Sequence, residues 1–294
     1  MRAIVVHETG SPDVLRLEDV PEPEPGEGEV LVRVEAAGVN HYDLNQRAGG
    51  ARKLPWTPGS DAGGRLADGT RVLVTSGRGC YAELAIAKED NVWTIPDAVS
   101  SETAAALGVP YRTAWWAVVE LGELAEGDVL FVQGGSSGTG LAAIQIGLAL
   151  GASVYATASG SKHDRIRALG ADALAYDDQR IPDLGASVVF DPIGGDGFAR
   201  SVEALGAEGR VVTPGAVASP SVSFDIWTLV GKRGRILGTG SAPASRATLE
   251  RVIELAEKGT LAPAIDRVFP LEQAAEAHRL IETRQTFGKI VLVP

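Results

Sequence analysis

Short apolar runs separated by turn residues dominate the first hundred positions of the chain. Alternating or β-branched stretches stand at 3–6, 30–39, 71–75 and 81–86. Proline, glycine and glutamate lie between them, as in the segment PEPEPGEGE at 21–29. Short strands at this spacing are typical of a small barrel or sandwich. We therefore predict that the first part of the chain is rich in β-structure.

From residue 128 onward, continuous apolar runs alternate with helical segments. Such runs predict strands that are buried on both faces of a parallel sheet, so the chain is predicted to be an α/β protein. The six predicted strands are 129–133, 153–158, 173–176, 186–193, 210–215 and 235–240. Helices are predicted after Ser101, at 141–150, at 162–169 and near 246–258, and a last strand at 289–293.

The connection between the third and fourth of these strands is unusually short. Residues 177–185 are only nine in number and include Pro182, whereas a crossover between parallel strands normally needs a dozen residues or more. If the crossover helix is lost, the sheet is less covered near 177–187. We then expect either a partner or an exposed apolar patch at that place.

A glycine-rich turn joins the first strand of the sheet to the next helix. The segment at 129–152, VLFVQGGSSGTGLAAIQIGLALGA, places Gly135 and Gly140 at the outer glycines of G-x-G-x-x-G, but Ser137 at the middle position with Gly138 beside it. A turn from a buried strand into a helix directs backbone N–H groups and the positive end of the helix dipole at a diphosphate. This placement predicts a dinucleotide site, although the sequence itself matches the G-x-G-x-x-G motif imperfectly.

The end of the second strand indicates which dinucleotide binds. NAD sites usually carry Asp or Glu about 20 residues after the glycines, where the carboxylate holds the ribose 2′-hydroxyl. Here residues 158–162 read ASGSK, and the first carboxylate is Asp164 in the following helix. Small residues and the cation Lys162 suit a 2′-phosphate, so NADPH is favoured over NADH. The alternative is that Lys162 belongs to a solvated helix face.

Composition and charge exclude several classes of function. The 294 residues include 27 basic and 38 acidic ones, for a net charge of −11, which disfavours binding to nucleic acid. Cys80 is the only cysteine, so no disulfide forms within the chain and a reducing compartment is expected. The longest weakly polar stretch, 140–152, has 13 residues, fewer than the roughly 20 of a membrane span. We expect a soluble cytoplasmic protein that binds no membrane.

Several motifs, in this order along the chain, carry a resemblance to a known family. Besides the glycine turn, they are VEAAGVNHYDLNQRAG (34–49), TPGSDAGG (57–64), GVPYRTAWWAVVE (108–120), FDPIGG (190–195) and FGKIVLVP (287–294). The chain resembles the zinc-independent medium-chain dehydrogenases/reductases of the quinone oxidoreductase (zeta-crystallin-like) family. This resemblance implies a GroES-like β-barrel catalytic domain over 1–104 and 241–294. It also implies a Rossmann domain, a doubly wound parallel sheet that binds NADPH, over 105–240.

At the positions where zinc-dependent relatives hold their metal, the residue types of this chain predict that no metal is bound. Zinc-dependent relatives hold their catalytic metal with cysteine and histidine, and the matching positions here are Asn40, Ser60 and Val109. The cysteine-rich lobe that holds their structural zinc has no counterpart. Independently of the family, none of the four histidines or Cys80 forms a pair at metal-ligand spacing.

The resemblance also implies a set of cofactor-binding residues. Asn40 and Thr113 match positions that border the nicotinamide end of the cofactor. The other matches are Ser137, Gly138, Thr139 and Gly140 at the diphosphate, Ser159, Lys162 and Tyr176 at the 2′-phosphate, and Gly215 and Gly238 at the ends of the fifth and sixth strands. For Asn40 a turn-stabilising role, and for Tyr176 a place at the surface, are the alternatives.

Without zinc there is no Lewis acid to polarise an alcohol or a ketone. The predicted reaction is therefore hydride transfer from NADPH to a small apolar acceptor, a quinone or an α,β-unsaturated carbonyl. The alternatives are a 2-enoyl-thioester reductase of a biosynthetic pathway and a catalytically idle NADPH-binding regulatory protein. Tyr42 is a weak candidate for the proton donor, with His41 beside it. The resemblance also implies a homodimer formed through the edge strand near 235–240.

Overall fold

The computed structural model describes residues 1–50, 53–241 and 245–294. Its strands are β1 (Arg2–Val6), β2 (Leu15–Asp19), β3 (Glu29–Val39), β4 (Asp61–Arg65), β5 (Arg71–Val74), β6 (Leu84–Lys88), β7 (Val92–Thr94), β8 (Val129–Val132), β9 (Ser153–Thr157), β10 (Asp172–Leu174), β11 (Ala186–Phe190), β12 (Leu205–Thr213), β13 (Arg235–Gly238), β14 (Ile265–Pro270) and β15 (Lys289–Val293). Its α-helices are α1 (His41–Gly49), α2 (Ser101–Trp115), α3 (Gly138–Ala149), α4 (His163–Arg167), α5 (Phe198–Glu203), α6 (Ile226–Lys232), α7 (Arg246–Glu257) and α8 (Ala274–Glu282). None of the described helices is long and apolar enough to cross a membrane.

The chain divides into two compact units. The first consists of Met1–Val109 with Ala244–Pro294, and the second of Pro110–Pro243. The boundaries predicted after residues 104 and 240 fall a few positions before these divisions. Residues 242–244, beside the second boundary, lie outside the described part of the chain.

The first unit is built on a seven-stranded sheet. Its strand order is β14-β15-β3-β4-β5-β7, and β6 pairs with the first half of β3. Neighbouring strands are antiparallel except for β14 and β15, which run parallel. The core contains Ile4, Val32, Tyr81 and Leu292, none of them more than 1% exposed. Strands from both ends of the chain therefore share one core.

The second unit is a parallel six-stranded sheet with the order β10-β9-β8-β11-β12-β13. In sequence order this is 3-2-1-4-5-6, the Rossmann arrangement. Leu130, Phe131 and Val132 of the central strand β8 are fully buried, as expected for a strand covered on both faces. The predicted α/β class and parallel sheet are confirmed.

The short connection between β10 and β11 contains one 3₁₀ turn, Ile181–Asp183. Ile181 is fully buried and packs in the same cluster as Phe198 and Val202 of α5. No large apolar side chain between 177 and 187 is exposed, so the apolar patch predicted there is wrong. The sheet face stays covered because Ile181 reaches it without a full crossover helix.

An exposed apolar surface lies elsewhere in the second unit. Ile226, Trp227 and Val230 of α6 are 54%, 75% and 53% exposed, and Ile236 of the edge strand β13 is 37% exposed. We call these four residues the α6–β13 patch. Single exposed apolar residues are ordinary, but those at 226, 227 and 230 share one face of α6.

Candidate functional site

The glycine turn of the second unit has a well-defined hydrogen-bond pattern. Helix α3 begins at Gly138 with Ser137 as its N-cap, whose Oγ accepts a hydrogen bond from the Gly140 amide at 3.0 Å. The same hydroxyl donates to the Gly134 carbonyl at 2.9 Å. Ser137 therefore stabilises the turn and the helix start with its side chain. The earlier amides of the helix have no partner within the helix and are suited to bind an anion.

Close packing explains the glycines at the two ends of the motif. A Cβ atom on Gly135 would lie 2.7 Å from the Cβ of Ala156 in β9, and one on Gly140 would lie 2.3 Å from the carbonyl oxygen of Gly134. Neither contact is possible for a real side chain. The turn is thus held against the sheet in the geometry that dinucleotide sites use.

A cation lies beside this turn. Lys162 follows the end of β9, and its Nζ donates a hydrogen bond to Ser136 Oγ at 3.2 Å. Ser159, at the start of the same segment, is exposed. The residues after β9 thus bring an ammonium group and a small polar residue to the glycine turn, with no carboxylate before Asp164. This donor set fits a 2′-phosphate better than a ribose hydroxyl.

The other predicted residues of this unit lie near strand ends. Tyr176 comes two residues after β10 and is 51% exposed. Gly238 ends β13, and Gly215 lies two residues beyond β12. A Cβ atom on either glycine would meet nothing within 4 Å, so the fold itself does not require glycine there. Thr113 lies in α2 and is half-buried.

A second group of polar side chains lies inside the first unit, around Asp61. This residue is fully buried at the start of β4. Its carboxylate accepts hydrogen bonds from Asn40 Nδ2 at 2.9 Å, from Thr75 Oγ1 at 2.9 Å and from the Val109 amide at 3.0 Å. Two of the positions that match zinc ligands in the relatives, Asn40 and Val109, are therefore joined through one carboxylate.

Lys289 supplies the positive charge that this interior needs. It is 5% exposed, and its Nζ donates to the Val39 carbonyl at 2.6 Å and to Asn40 Oδ1 at 2.7 Å. Burial lowers the pKa of Lys289, while Asp61 and Asp43 act in the opposite direction. Asn40 thus uses its side-chain amide to connect a buried cation to a buried anion.

Asp43 is a second buried acid in the same interior. Its carboxyl accepts hydrogen bonds from the Asn40 amide at 2.9 Å and from Tyr81 Oη at 3.2 Å. Burial raises the pKa of Asp43 to about 7, against the opposing effects of the Asn40 amide and Lys289. Tyr81 Oη also lies 3.2 Å from His278 Nε2, and burial lowers the pKa of that imidazole to about 3.

A cavity of about 520 Å³ opens next to this interior, within the first unit. Its wall includes Tyr42, Asp43, Trp56, Thr57 and Ser60. Tyr42 is 47% exposed, whereas Asp43 is 1% exposed. The cavity is therefore bordered by aromatic surface, by one buried acid and by the cations Lys53 and Arg78, and its size is suited to a small organic molecule.

Reasoning from the sequence did not assign a role to Asp43, Asp61, Tyr81, His278 or Lys289. Both aspartates and Lys289 lie inside the quoted motifs NHYDLNQRAG, TPGSDAGG and FGKIVLVP, which was an available signal. Tyr81 and His278 are distant along the chain, and nothing local in the sequence connects them.

Among residues 1–50, 53–241 and 245–294, no group of three or more His, Cys, Asp or Glu side chains could hold a metal ion. The side chain at the third matched position, Ser60, has a buried Oγ without a hydrogen-bond partner in the described residues. Amide, hydroxyl and valine side chains are poor substitutes for the thiolate and imidazole ligands that zinc prefers.

Replacing Lys289 by Met should destabilise the protein strongly. Removal of one partner from a buried charged pair costs about 3–5 kcal/mol, because the remaining charge is left uncompensated. Chemical denaturation followed by circular dichroism measures the loss. Lys258→Met is the control, since Lys258 is 59% exposed in its ion pair with Glu254. The double variant Asp61→Asn with Lys289→Met should recover part of the stability. Equal stability of Lys289→Met and Lys258→Met would contradict the pairing.

Comparison with known proteins supports both folds. The model of the alcohol dehydrogenase GroES-like domain matches residues 26–97, which confirms the GroES-like prediction, and a zinc-binding dehydrogenase model matches residues 169–292. One solved structure with a similar fold is an NAD-dependent alcohol dehydrogenase, with a TM-score of 0.93, 34% identity and full coverage of both chains. Another is a mycobacterial protein complexed with NADPH, with a TM-score of 0.91, 30% identity and full coverage of both chains.

Curated relatives give the same result over the whole length. The mouse quinone oxidoreductase is 31% identical over 328 aligned residues, which cover all of this chain and 98% of the relative. Matches of this extent show common descent and not only a common fold. The chain, with its GroES-like unit, its Rossmann sheet and its capped glycine turn, belongs to the quinone oxidoreductase family of medium-chain dehydrogenases/reductases.

Proposed function

We propose that the protein is an NADPH-dependent oxidoreductase that transfers a hydride to a quinone or to an α,β-unsaturated carbonyl without a metal. The observation that carries the choice of cofactor is the position of Lys162 Nζ beside the glycine turn, at a strand end that lacks a carboxylate. A similar mycobacterial structure was solved with NADPH, and the mouse relative is a quinone oxidoreductase.

The residues predicted from the sequence fall into three roles in this proposal. The amides at the start of α3, from Gly138 to Gly140, with Ser137, hold the diphosphate. Ser159, Lys162 and Tyr176 hold the 2′-phosphate. Asn40, Thr113, Gly215 and Gly238 border the remainder of the cofactor.

The proposed mechanism assigns positioning and exclusion of water to the protein. When bound, NADPH supplies the hydride. The cavity of the first unit receives the acceptor, where Trp56 and Tyr42 offer aromatic surface to a flat molecule. Asn40 is held rigid by its bonds to Asp61 and Lys289, so that a group it contacts meets a fixed surface. A metal has no role, in line with the side chains of Asn40, Ser60 and Val109.

The test is oxidation of NADPH by the purified protein with three acceptor classes. These are 1,4-quinones, simple enones and 2-enoyl thioesters of coenzyme A. We expect turnover with a quinone or an enone, unchanged by prior treatment with a chelator. Preference for the thioester would favour the biosynthetic reductase instead. Binding of NADPH without turnover of any acceptor would favour a regulatory protein, and loss of activity on chelation would contradict the metal-free reaction.

Replacing Lys162 by Ala should weaken NADPH binding about 10- to 100-fold, the cost of one lost hydrogen bond to a charged group. Binding of NADH should not change, because NADH lacks the 2′-phosphate. Fluorescence titration with both dinucleotides measures the dissociation constants. The matched control is Arg167→Ala, since Arg167 lies on the same segment in an exposed pair with Asp164. Equal affinity of the unsubstituted protein for NADPH and NADH would rule out the proposed role of Lys162.

We also propose that two copies associate through β13 and the α6–β13 patch. Strand β13 is the last strand of its sheet, so one side of its backbone can pair with the same strand of a second copy. The exposed apolar side chains of α6 and β13 lose contact with water in such an arrangement. The occupant proposed for this patch is therefore a second copy of the chain.

Trp227→Glu should convert the dimer to a monomer, because it places a charge on the most exposed apolar residue of the α6–β13 patch. Size-exclusion chromatography with light scattering measures the mass in solution. Val268→Glu is the control, since Val268 is 45% exposed on β14, the edge strand of the other sheet. The proposal fails if the unsubstituted protein is monomeric, or if both variants behave alike.

A further inference from the structure

Asp43 belongs both to the buried interior of the first unit and to the wall of its cavity. The neighbouring buried acid Asp61 has different surroundings. Asp61 accepts three hydrogen bonds, all from protein donors, and is not part of the cavity wall. Among the described residues, Asp43 accepts one backbone amide and one hydroxyl, and that hydroxyl can also accept.

Burial favours the protonated form of Asp43, and the nearby charges act in both directions. Lys289, which is linked through Asn40 to Asp61, lowers the pKa of Asp43, while Asp61 raises it. Tyr81, from the turn before β6, also lowers it. The other titratable and charged groups nearby are Cys80 beside Tyr81, His278 with Arg47 and His41, and Lys53 and Arg78 on the cavity wall.

The two hydrogen bonds of the chain Asp43–Tyr81–His278 can be kept in both protonation states of Asp43. When Asp43 is ionised, Tyr81 Oη donates to it and accepts from His278 Nε2–H. When Asp43 is protonated, its hydroxyl can donate to Tyr81 Oη, which then donates to Nε2 of the other neutral tautomer. No charge has to appear on Tyr81 or on His278 in either state. His278 Nδ1 has no hydrogen-bond partner among the described residues, so the tautomer protonated at Nδ1 leaves one buried donor unpaired.

We propose that Asp43 is the acid that protonates the reduced acceptor in the cavity, with Tyr81 and His278 as positioning residues behind it. This inference rests on the proposed function. Bound NADPH would supply the hydride that leaves the acceptor as an enolate or a hydroquinone monoanion. The O–H bond of Asp43 then breaks as a C–H or O–H bond forms on that anion, and the remaining carboxylate regains a proton from water.

Tyr42 is the competing donor on the same wall. Its side chain is 47% exposed, whereas that of Asp43 is 1% exposed. A carboxylic acid with a pKa of about 7 is a better match to an acid that must lose and regain a proton in every turnover. The geometry therefore points to Asp43, and Tyr42→Phe serves as the competing variant.

Three variants test the proposal with one enone acceptor. Asp43→Asn keeps the shape and the hydrogen-bond acceptor but cannot deliver a proton, so kcat should fall about 100-fold or more with an unchanged dissociation constant for NADPH. Tyr81→Phe removes a donor that lowers the pKa of Asp43, so the decline of kcat with rising pH should move to higher pH. Tyr42→Phe should not change the pH at which kcat declines.

Asp128→Asn is the matched control. Asp128 accepts a backbone amide, from Ala125 at 2.9 Å, and a hydroxyl, from Ser187 at 2.8 Å, the same two kinds of donor that Asp43 uses. It precedes β8 in the second unit and does not border the cavity. This substitution should change neither kcat nor its pH dependence.

A readout independent of turnover comes from infrared difference spectroscopy of the protein without cofactor. The carbonyl band of a protonated carboxylic acid should be present at pH 6, disappear above pH 8 and be missing in Asp43→Asn. These pH values bracket the pKa of about 7. Loss of the band in Asp128→Asn instead would assign it to another acid.

The outcomes separate the inference from the proposed function. Two results would show that Asp43 is not the donor while the unsubstituted protein remains active. One is an Asp43→Asn variant that keeps its kcat within about 2-fold of the unsubstituted protein. The other is a Tyr42→Phe variant that loses activity while Asp43→Asn does not. If none of the tested acceptors supports oxidation of NADPH by the unsubstituted protein, the proposed function fails and the role of Asp43 fails with it. Retained folding of Asp43→Asn is checked by its NADPH affinity.

Discussion

The carboxylate of Asp61 is the interaction on which the first unit depends. It accepts donors from the residue before α1, from the residue after β5 and from α2, namely Asn40, Thr75 and Val109. Through Asn40 it is connected to Lys289 at the start of β15, near the other end of the chain. A buried charge is tolerated only when it is fully paired and hydrogen-bonded. These elements must therefore assemble together, which places the two halves of a discontinuous unit around one point.

This constraint also shapes the chemistry next to the cavity. Asp43 and Asp61 both interact with Lys289, and burial raises the pKa of Asp43 to about 7. Relatives that use zinc place cysteine and histidine where this chain has Asn40, Ser60 and Val109. Here two of these positions serve the interior network. This part of the fold thus carries a hydrogen-bond network.

The second unit follows a different constraint, the close approach of backbone to backbone. The glycine turn leaves no room for a side chain at Gly135, which packs on β9, or at Gly140, which packs on the Gly134 carbonyl, and Ser137 completes the turn by capping α3. The sheet also tolerates a minimal connection, because Ile181 covers the face that a crossover helix would cover. The apolar surface left in contact with water lies at the sheet edge around Trp227.

The sequence by itself determined the parts that depend on local pattern. The apolar strands after residue 128, the glycine turn and the missing acid after β9 are all readable within a few tens of residues, because periodicity and turn chemistry are short-range properties. The imperfect glycine motif is understood once Ser137 is seen as the helix cap. The tertiary structure alone decided where the exposed patch lies and which polar residues meet. Tyr81 lies 197 positions before His278 and 38 positions after Asp43, and their pairing follows from long-range packing, to which no local pattern in one sequence points.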